Sequence, residues 1–203
     1  MIAIIDYGVG NLFSLQSSFN AIGAEAIVTK DKTVIENAEK LILPGVGAFE
    51  DAAKKLRESG LGEVLKNEVQ KGKTVMGICL GMQLLFDKSY EFGVHEGLGL
   101  IPGNIVPFAD KIDSSFQIPQ IGWNNLKLYD GSTIFKNIND GDFVYFVHSY
   151  YAECDKKYVL ATSDYGIEFT AAVGRDNVFG CQFHPEKSGE VGLNILRGFC
   201  QMK

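Results

Sequence analysis

The sequence predicts an α/β fold in which a mostly parallel or mixed central sheet is flanked by helices. Short apolar runs alternate with amphipathic stretches through the first half, the mark of strand–helix–strand units. Glycine stands where the first of those helices should end. From about Asp87 the pattern changes to short β-like runs punctuated by Gly and Pro, which adds strands to the sheet or builds a small second one.

In chain order, Ile2–Asp6 reads as a strand, and Leu12, Leu15, Phe19 and Ile22 follow at helical spacing, closed by Gly23. Glu25–Val28, Lys40–Leu43 and Thr74–Ile78 read as further strands, with helical stretches over Ala48–Arg57, Leu61–Lys71 and Met82–Phe86. In the second half, Gly99–Pro102, Ile105–Phe108, Asn125–Leu128, Phe143–Val147, Tyr158–Thr162, Glu168–Val173 and Val178–Phe183 read as strands, antiparallel or mixed. A helix over about Glu190–Met202 closes the chain. No repeat, low-complexity tract or linker interrupts it, so one domain over residues 1–203 is expected. In sheets of this kind functional residues gather beyond the carboxyl ends of the strands.

Composition narrows the function. The chain is 46% apolar and 22% charged, with a net charge of −6. No stretch gathers Lys and Arg on one face, which argues against a nucleic-acid binder. The N-terminal apolar run meets an acid at Asp6 and lacks a basic leader, so it is expected to be a strand and not a signal peptide. No apolar run is long enough to span a membrane. Cys79, Cys154, Cys181 and Cys200 show no CxxC spacing and no disulfide framework, which suggests reduced thiols in a cytoplasmic protein. No metal or other cofactor is expected.

The sharpest motif is Gly77-Ile78-Cys79-Leu80-Gly81, directly after the strand Thr74–Ile78. It has the form of the G-x-S-x-G nucleophile elbow with Cys in the central place. Small residues two positions to either side let the chain turn sharply, and the following helix N-terminus favours thiolate over thiol. A buried core cysteine after an apolar strand would read the same locally. The second motif is Phe183-His184-Pro185-Glu186, at the end of the strand Val178–Phe183. A cysteine nucleophile needs a base, and the base needs an acceptor to orient it; one tight turn supplies both here. The third is Leu41-Ile42-Leu43-Pro44-Gly45-Val46-Gly47, a strand running into a glycine turn whose N–H groups are open to an oxyanion. A dinucleotide loop fails at Glu50 after Gly45 and Gly47, and at Phe13 after Gly8 and Gly10.

Together with Ile5-Asp6-Tyr7-Gly8-Val9-Gly10-Asn11, Ile121-Gly122-Trp123-Asn124, Tyr145-Phe146-Val147-His148-Ser149-Tyr150 and Lys187-Ser188, these motifs resemble the class I, triad-type glutamine amidotransferases across essentially the whole chain. Within that class the pattern is similar to the glutaminase subunits of imidazole glycerol phosphate synthase. The resemblance implies a three-layer, flavodoxin-like fold. It implies that Cys79 is the nucleophile, His184 the general acid and base, and Glu186 the group that orients His184. It places Gly45, Gly47 and Leu80 around the oxyanion, and Gln83, Ser149 and Tyr150 on the glutamine substrate. It places Asn11, Trp123, Tyr145 and Lys187 against a (β/α)8-barrel cyclase subunit in a heterodimer, to which ammonia passes without entering water. His148 is expected to be structural. Many family members carry His at the place of Gln120, a departure not expected to change the reaction. A paralogue serving another ammonia-consuming synthase, such as one in surface-sugar biosynthesis, would share the glutaminase chemistry. A cysteine-elbow peptidase or redox sensor would have no need of Gln83 or the Gly45–Gly47 turn, and an inactive regulatory subunit no need of the full Cys79, His184 and Glu186 set.

Overall fold

The computed structural model describes residues 1–129, 131 and 133–202, so Asp130, Ser132 and Lys203 of the expected 1–203 span lie outside the described residues. The elements in order are β1 (Ile2–Ile5), α1 (Leu12–Ala21), β2 (Ala26–Thr29), α2 (Lys32–Asn37), β3 (Lys40–Leu43), α3 (Phe49–Glu58), α4 (Leu61–Gln70), β4 (Thr74–Ile78) and α5 (Leu80–Leu84). Then come β5 (Phe86–Ser89), β6 (His95–Glu96), β7 (Ile101–Pro107), β8 (Gln120–Asn125), β9 (Lys127–Leu128), β10 (Phe143–His148) and β11 (Tyr150–Glu153). The last are β12 (Val159–Asp164), β13 (Glu168–Arg175), β14 (Val178–Cys181) and α6 (Gly189–Cys200).

Among the described residues twelve strands form one sheet, ordered β2-β1-β3-β4-β14-β13-β11-β7-β5-β6, with β12 beside β13 and β9 beside β12. From β2 to β14 the neighbours are parallel, and their order is the flavodoxin-like one. The inner strands β1, β3, β4 and β14 are largely apolar because both faces are covered, whereas the edge strand β2 is half-exposed. Alternate side chains go to opposite sides: Ile2 and Ile4 join Leu15, Phe19, Leu196 and Phe199 in one core layer. Ala3 and Ile5 join Leu41, Leu43, Phe49, Leu56 and Leu65 in the other. Helices α1 and α6 therefore cover one face, and α3 and α4 the other. Helix α3 turns Phe49, Ala52, Ala53 and Leu56 inward at helical spacing, with acids in its first turn and bases in its last. Each fully buried Leu, Ile or Phe contributes roughly 1.5–3 kcal/mol.

Both expectations for the second half hold, since strands are added to the main sheet while β8 and β10 form a separate antiparallel ribbon. Several boundaries differ. The helix expected over Met82–Phe86 is α5, which begins at Leu80 and ends at Leu84. The amides of Leu100 and Ile101 donate to the Leu85 carbonyl at 2.8 and 3.0 Å, and this capture turns Phe86 into a strand residue. The runs Gly99–Pro102 and Ile105–Phe108 overlap the single strand β7, which leaves Gly99, Leu100 and Phe108 outside it. Asn125–Leu128 straddles the junction of β8 and β9. Helix α2, too short for a periodic signal, is set by Asp31, whose carboxylate accepts from the Thr33 amide at 2.8 Å.

Candidate active site

Strands β3, β4 and β14 lie side by side and in parallel, so the turns leaving their carboxyl ends share one edge of the sheet. The chain leaves β4 through Cys79, which holds φ 54° and ψ −112°. A residue with a Cβ stores roughly 1–3 kcal/mol of strain in such a sparsely populated region. The turn is affordable in space only because of its glycines. A Cβ on Gly77 would stand 2.6 Å from the Gly81 carbonyl oxygen, and one on Gly81 would strike the Leu43 carbonyl. The Cys79 amide donates to the Cys181 carbonyl at 2.8 Å, which locks the elbow to β14.

His184 and Glu186 lie three and five residues beyond the end of β14, on a 3-10 turn over Pro185–Lys187. His184 Nδ1 and Glu186 Oε1 are 2.8 Å apart, with both side chains almost fully buried. Glu186, as the acceptor, holds the proton on Nδ1 and leaves Nε2 toward the site. Nε2 makes no aligned hydrogen bond in this geometry, yet it stands near enough to the Cys79 sulfur to feel its charge. Burial alone would lower the imidazole pKa; interaction with Cys79 and Glu186 outweighs it and raises the pKa to about 10. A thiol beside an imidazole that is itself oriented by a carboxylate suits nucleophile–base chemistry.

A pocket of about 270 Å³ opens over Cys79. Val46, Gly47 and Leu80 line it on one side and Gln83, Ser149, Tyr150 and His184 on others. Gly45 does not line it. A Cβ there would lie 2.7 Å from the Gly81 nitrogen and 3.0 Å from the Tyr7 hydroxyl, so Gly45 seats the turn against the elbow. Tyr7 donates to the Pro44 carbonyl at 2.6 Å, and burial first, then the nearby Cys79 charge, drives its pKa well up. Gly47, at φ +93°, is the position in that turn that needs glycine for its conformation.

Gln83 is buried, and its amide nitrogen donates to the Tyr150 carbonyl at 3.1 Å and to Gln182 Oε1 at 3.0 Å. Both hydrogens are thereby used, and Oε1 is the group left for another partner. His148 lines the pocket with both ring nitrogens engaged, Nδ1 to the Tyr150 carbonyl at 2.8 Å and Nε2 to Gln120 at 3.1 Å. Burial above all lowers its pKa to about 4, so the ring is neutral. Nδ1 must donate to the carbonyl, so Nε2 of the neutral ring is an acceptor, which is met by the amide of Gln120 once its NH₂ replaces the Oε1 that stands there. Glu91 also lines the pocket, its Oε2 accepting from the Phe49 amide at 2.6 Å. Sequence reasoning missed Glu91, Tyr7 and Gln182 because only the folded chain brings them to the elbow. A lone acid at a loop carries no motif.

Trp123 and Tyr145 pair in register across the β8/β10 ribbon, with ring centroids 6.0 Å apart, and Lys187 Nζ lies 5.8 Å from the Tyr145 ring. Trp123 is 56% exposed, and Ile121 and Phe143 are exposed on the same outer face. An exposed apolar cluster rimmed by a cation has the make-up of a docking face. Asn11 stands at the start of α1, which touches the Pro185–Lys187 turn. The ribbon is tied to the site directly: the His184 amide donates to the Tyr145 carbonyl at 2.9 Å, and the Tyr145 amide to Ser188 Oγ at 3.0 Å.

Among the described residues no helix is long and apolar enough to cross a membrane. The family model for glutamine amidotransferase class-I matches residues 3–201. The chain is 50% identical over 203 residues to "imidazole glycerol phosphate synthase subunit HisH" of Caldanaerobacter subterraneus subsp. tengcongensis, covering 100% of this chain and 98% of that one. It is 48% identical over 206 residues to the protein of the same name from Geobacter metallireducens, covering 100% and 98%. Among solved structures, a glutamine amidotransferase superposes with a TM-score of 0.78 at 19% identity, over 99% of this chain and 98% of that one. The glutaminase domain of Trypanosoma brucei CTPS with bound acivicin superposes at 0.66 and 14% identity, over 100% and 94%. These two likenesses show the fold.

Proposed function

The chain belongs to the class-I glutamine amidotransferase family, and from that premise we propose that Cys79, His184 and Glu186 perform its glutamine hydrolysis. It serves histidine biosynthesis as the glutaminase subunit of imidazole glycerol phosphate synthase. Cys79 passes its proton to His184 Nε2, and Sγ attacks the side-chain carbonyl carbon of glutamine. The carbonyl oxygen becomes an oxyanion, held by the N–H groups of Leu80 and of the Gly45–Gly47 turn. As the oxyanion collapses the C–N bond breaks, and His184 gives its proton to the departing nitrogen. Water then adds to the thioester, its proton passing to His184, and the C–S bond breaks to release glutamate. The sum is glutamine plus water to glutamate plus ammonia.

The substrate's amino-acid end sits against Ser149 and Tyr150. Gln83 Oε1 and the Glu91 carboxylate supply acceptors for its ammonium group. The cluster of Trp123, Tyr145 and Lys187, with Asn11, docks on a (β/α)8-barrel cyclase subunit in a cytoplasmic heterodimer, and residues 1–203 act as one domain. Ammonia released into water is largely protonated and loses its nucleophilic lone pair, so a sealed path to the cyclase is the physically sensible one. There it meets N′-phosphoribulosyl-formimino-AICAR-phosphate and yields imidazole glycerol phosphate and AICAR-phosphate.

The observation that carries the reading is the buried His184–Glu186 pair, 2.8 Å apart, beside a cysteine held at positive φ. The test mixes the chain with a barrel cyclase subunit and follows glutamate release with and without the cyclase ligand. Release should be slow alone and rise roughly 10²–10³-fold in the liganded complex, the worth of one oxyanion donor. Equal turnover by the isolated chain and the liganded complex would rule out gating by the partner.

A further inference from the structure

Gln182 sits between β14 and His184 and has no exposed surface. Its backbone amide donates to the Ala171 carbonyl at 2.8 Å, and its side chain faces the elbow. There Nε2 lies 3.8 Å from Cys79 Sγ, within reach of a sulfur acceptor. The other groups on this path form a continuous series from the β8/β10 ribbon: Gln120, His148, the Tyr150 carbonyl, Gln83, Gln182 and the Cys79 sulfur.

The direction of that series is fixed by one atom. The Tyr150 carbonyl can only accept, so the Gln83 amide must turn its NH₂ toward it. The second hydrogen of that NH₂ then points to Gln182, which must present Oε1. Gln182 has therefore only its own NH₂ left for Cys79. A thiol can donate elsewhere, and the Val147 carbonyl lies 3.9 Å from Sγ. A thiolate can only accept, and beside the facing His184 imidazole the donor in hydrogen-bond reach is Gln182 Nε2.

We propose that Gln182 is a positioning residue for the glutaminase reaction: its amide N–H, oriented by Gln83 and the Tyr150 carbonyl, stabilises the Cys79 thiolate. The inference rests on the reading of Cys79 as the nucleophile. Substrate recognition and nucleophile activation then share one group, since Gln83 faces the pocket and orients Gln182 at once. The other titratable groups around the sulfur are Tyr7, Cys181, His184 and Glu186, with Glu91, His148 and Tyr150 across the pocket.

The test uses the full chain and iodoacetamide, with alkylation of the Cys79 peptide followed by mass spectrometry across pH. Gln182→Glu keeps the shape and the acceptor for Gln83 but replaces the donor with an oxygen. It should move the alkylation midpoint up by about one pH unit, or about tenfold slower alkylation below the midpoint. Gln182→Met, which removes the donor without adding charge, should move it up by about half a unit. A purely structural role would lower thermal stability and leave the midpoint alone. Superimposable alkylation profiles for folded variants and wild type overturn the proposal, and either variant suffices if the other does not fold. In the wild-type chain the Gln182 side-chain amide resonance should shift with the same midpoint, and a resonance that stays fixed overturns the proposal without any variant. Retained glutaminase activity in Cys79→Ala is a separate outcome, which sinks the nucleophile reading itself.

Discussion

Replacing Glu186 by Gln is a near-isosteric change that removes one charge from the centre of the site. Gln can still accept from His184 Nδ1 with its amide oxygen, so the ring keeps its orientation. What is lost is a carboxylate 2.8 Å from that nitrogen, with both side chains all but inaccessible to water. A hydrogen bond to a charged group contributes about 1.5–3 kcal/mol, which corresponds to roughly 10- to 150-fold in rate if it is felt when the imidazolium forms. The sign of the pH effect is also fixed. Burial lowers the His184 pKa, and Cys79 and Glu186 together raise it to about 10, so removing Glu186 must bring it down. The alkaline limb of kcat/KM for glutamate release should therefore move to lower pH. The assay is glutamate release by the complex with cyclase ligand present, from pH 6 to 10. A Glu186→Gln enzyme within about twofold of wild type, with its alkaline limb unmoved, would refute the assignment of the orienting role.

Other perturbations probe other parts of the account. Trp123→Ala should leave the free subunit within about 0.5 kcal/mol of wild-type stability, because the ring is largely exposed, yet weaken docking by roughly 30-fold or more; calorimetric unfolding and a binding titration separate the two. Lys187→Ala should dock with a smaller loss but fail to be fully activated by cyclase ligand, read as glutamate release at saturating partner. His148 is held near pKa 4 by burial, so the unfolded chain takes up its proton first as pH falls below 6.5. Stability should fall by about 2 kcal/mol between pH 6.5 and 5 relative to His148→Gln in matched denaturant titrations, and parallel curves would remove His148 as the cause. Gly45→Ala forces a methyl to 2.7 Å from the Gly81 nitrogen and should cost about 1–3 kcal/mol in unfolding free energy while slowing glutamate release.

Much of the sheet could be read from the sequence because its parallel strands are buried on both faces and therefore appear as short apolar runs between glycines. Lys40–Leu43 and Thr74–Ile78 have the expected limits. Strand β8 escaped notice because Gly122 interrupts its alternation and its outward residues are apolar, the reverse of an ordinary surface strand. Strand β5 went unread, with only its first residue Phe86 inside the expected helix, since the capture of Leu85 by residues 100 and 101 is a contact between segments and leaves no local pattern. The elbow and the His184–Glu186 turn were legible because each compresses its chemistry into a few adjacent residues. Gln182 stands two residues before His184, yet its link to Cys79 spans 103 positions and depends on Gln83 for its direction. Glu91 reaches the pocket only because its loop folds back over the start of α3.

The central claim is that Cys79 is the nucleophile that frees ammonia for the cyclase subunit. The most direct measurement compares imidazole glycerol phosphate synthesis by the wild-type and Cys79→Ala complexes, driven either by glutamine or by an ammonium salt. Cys79→Ala should abolish synthesis from glutamine and leave synthesis from ammonium intact, because the cyclase is untouched. Glutamine-driven synthesis at the wild-type rate in the Cys79→Ala complex would contradict it.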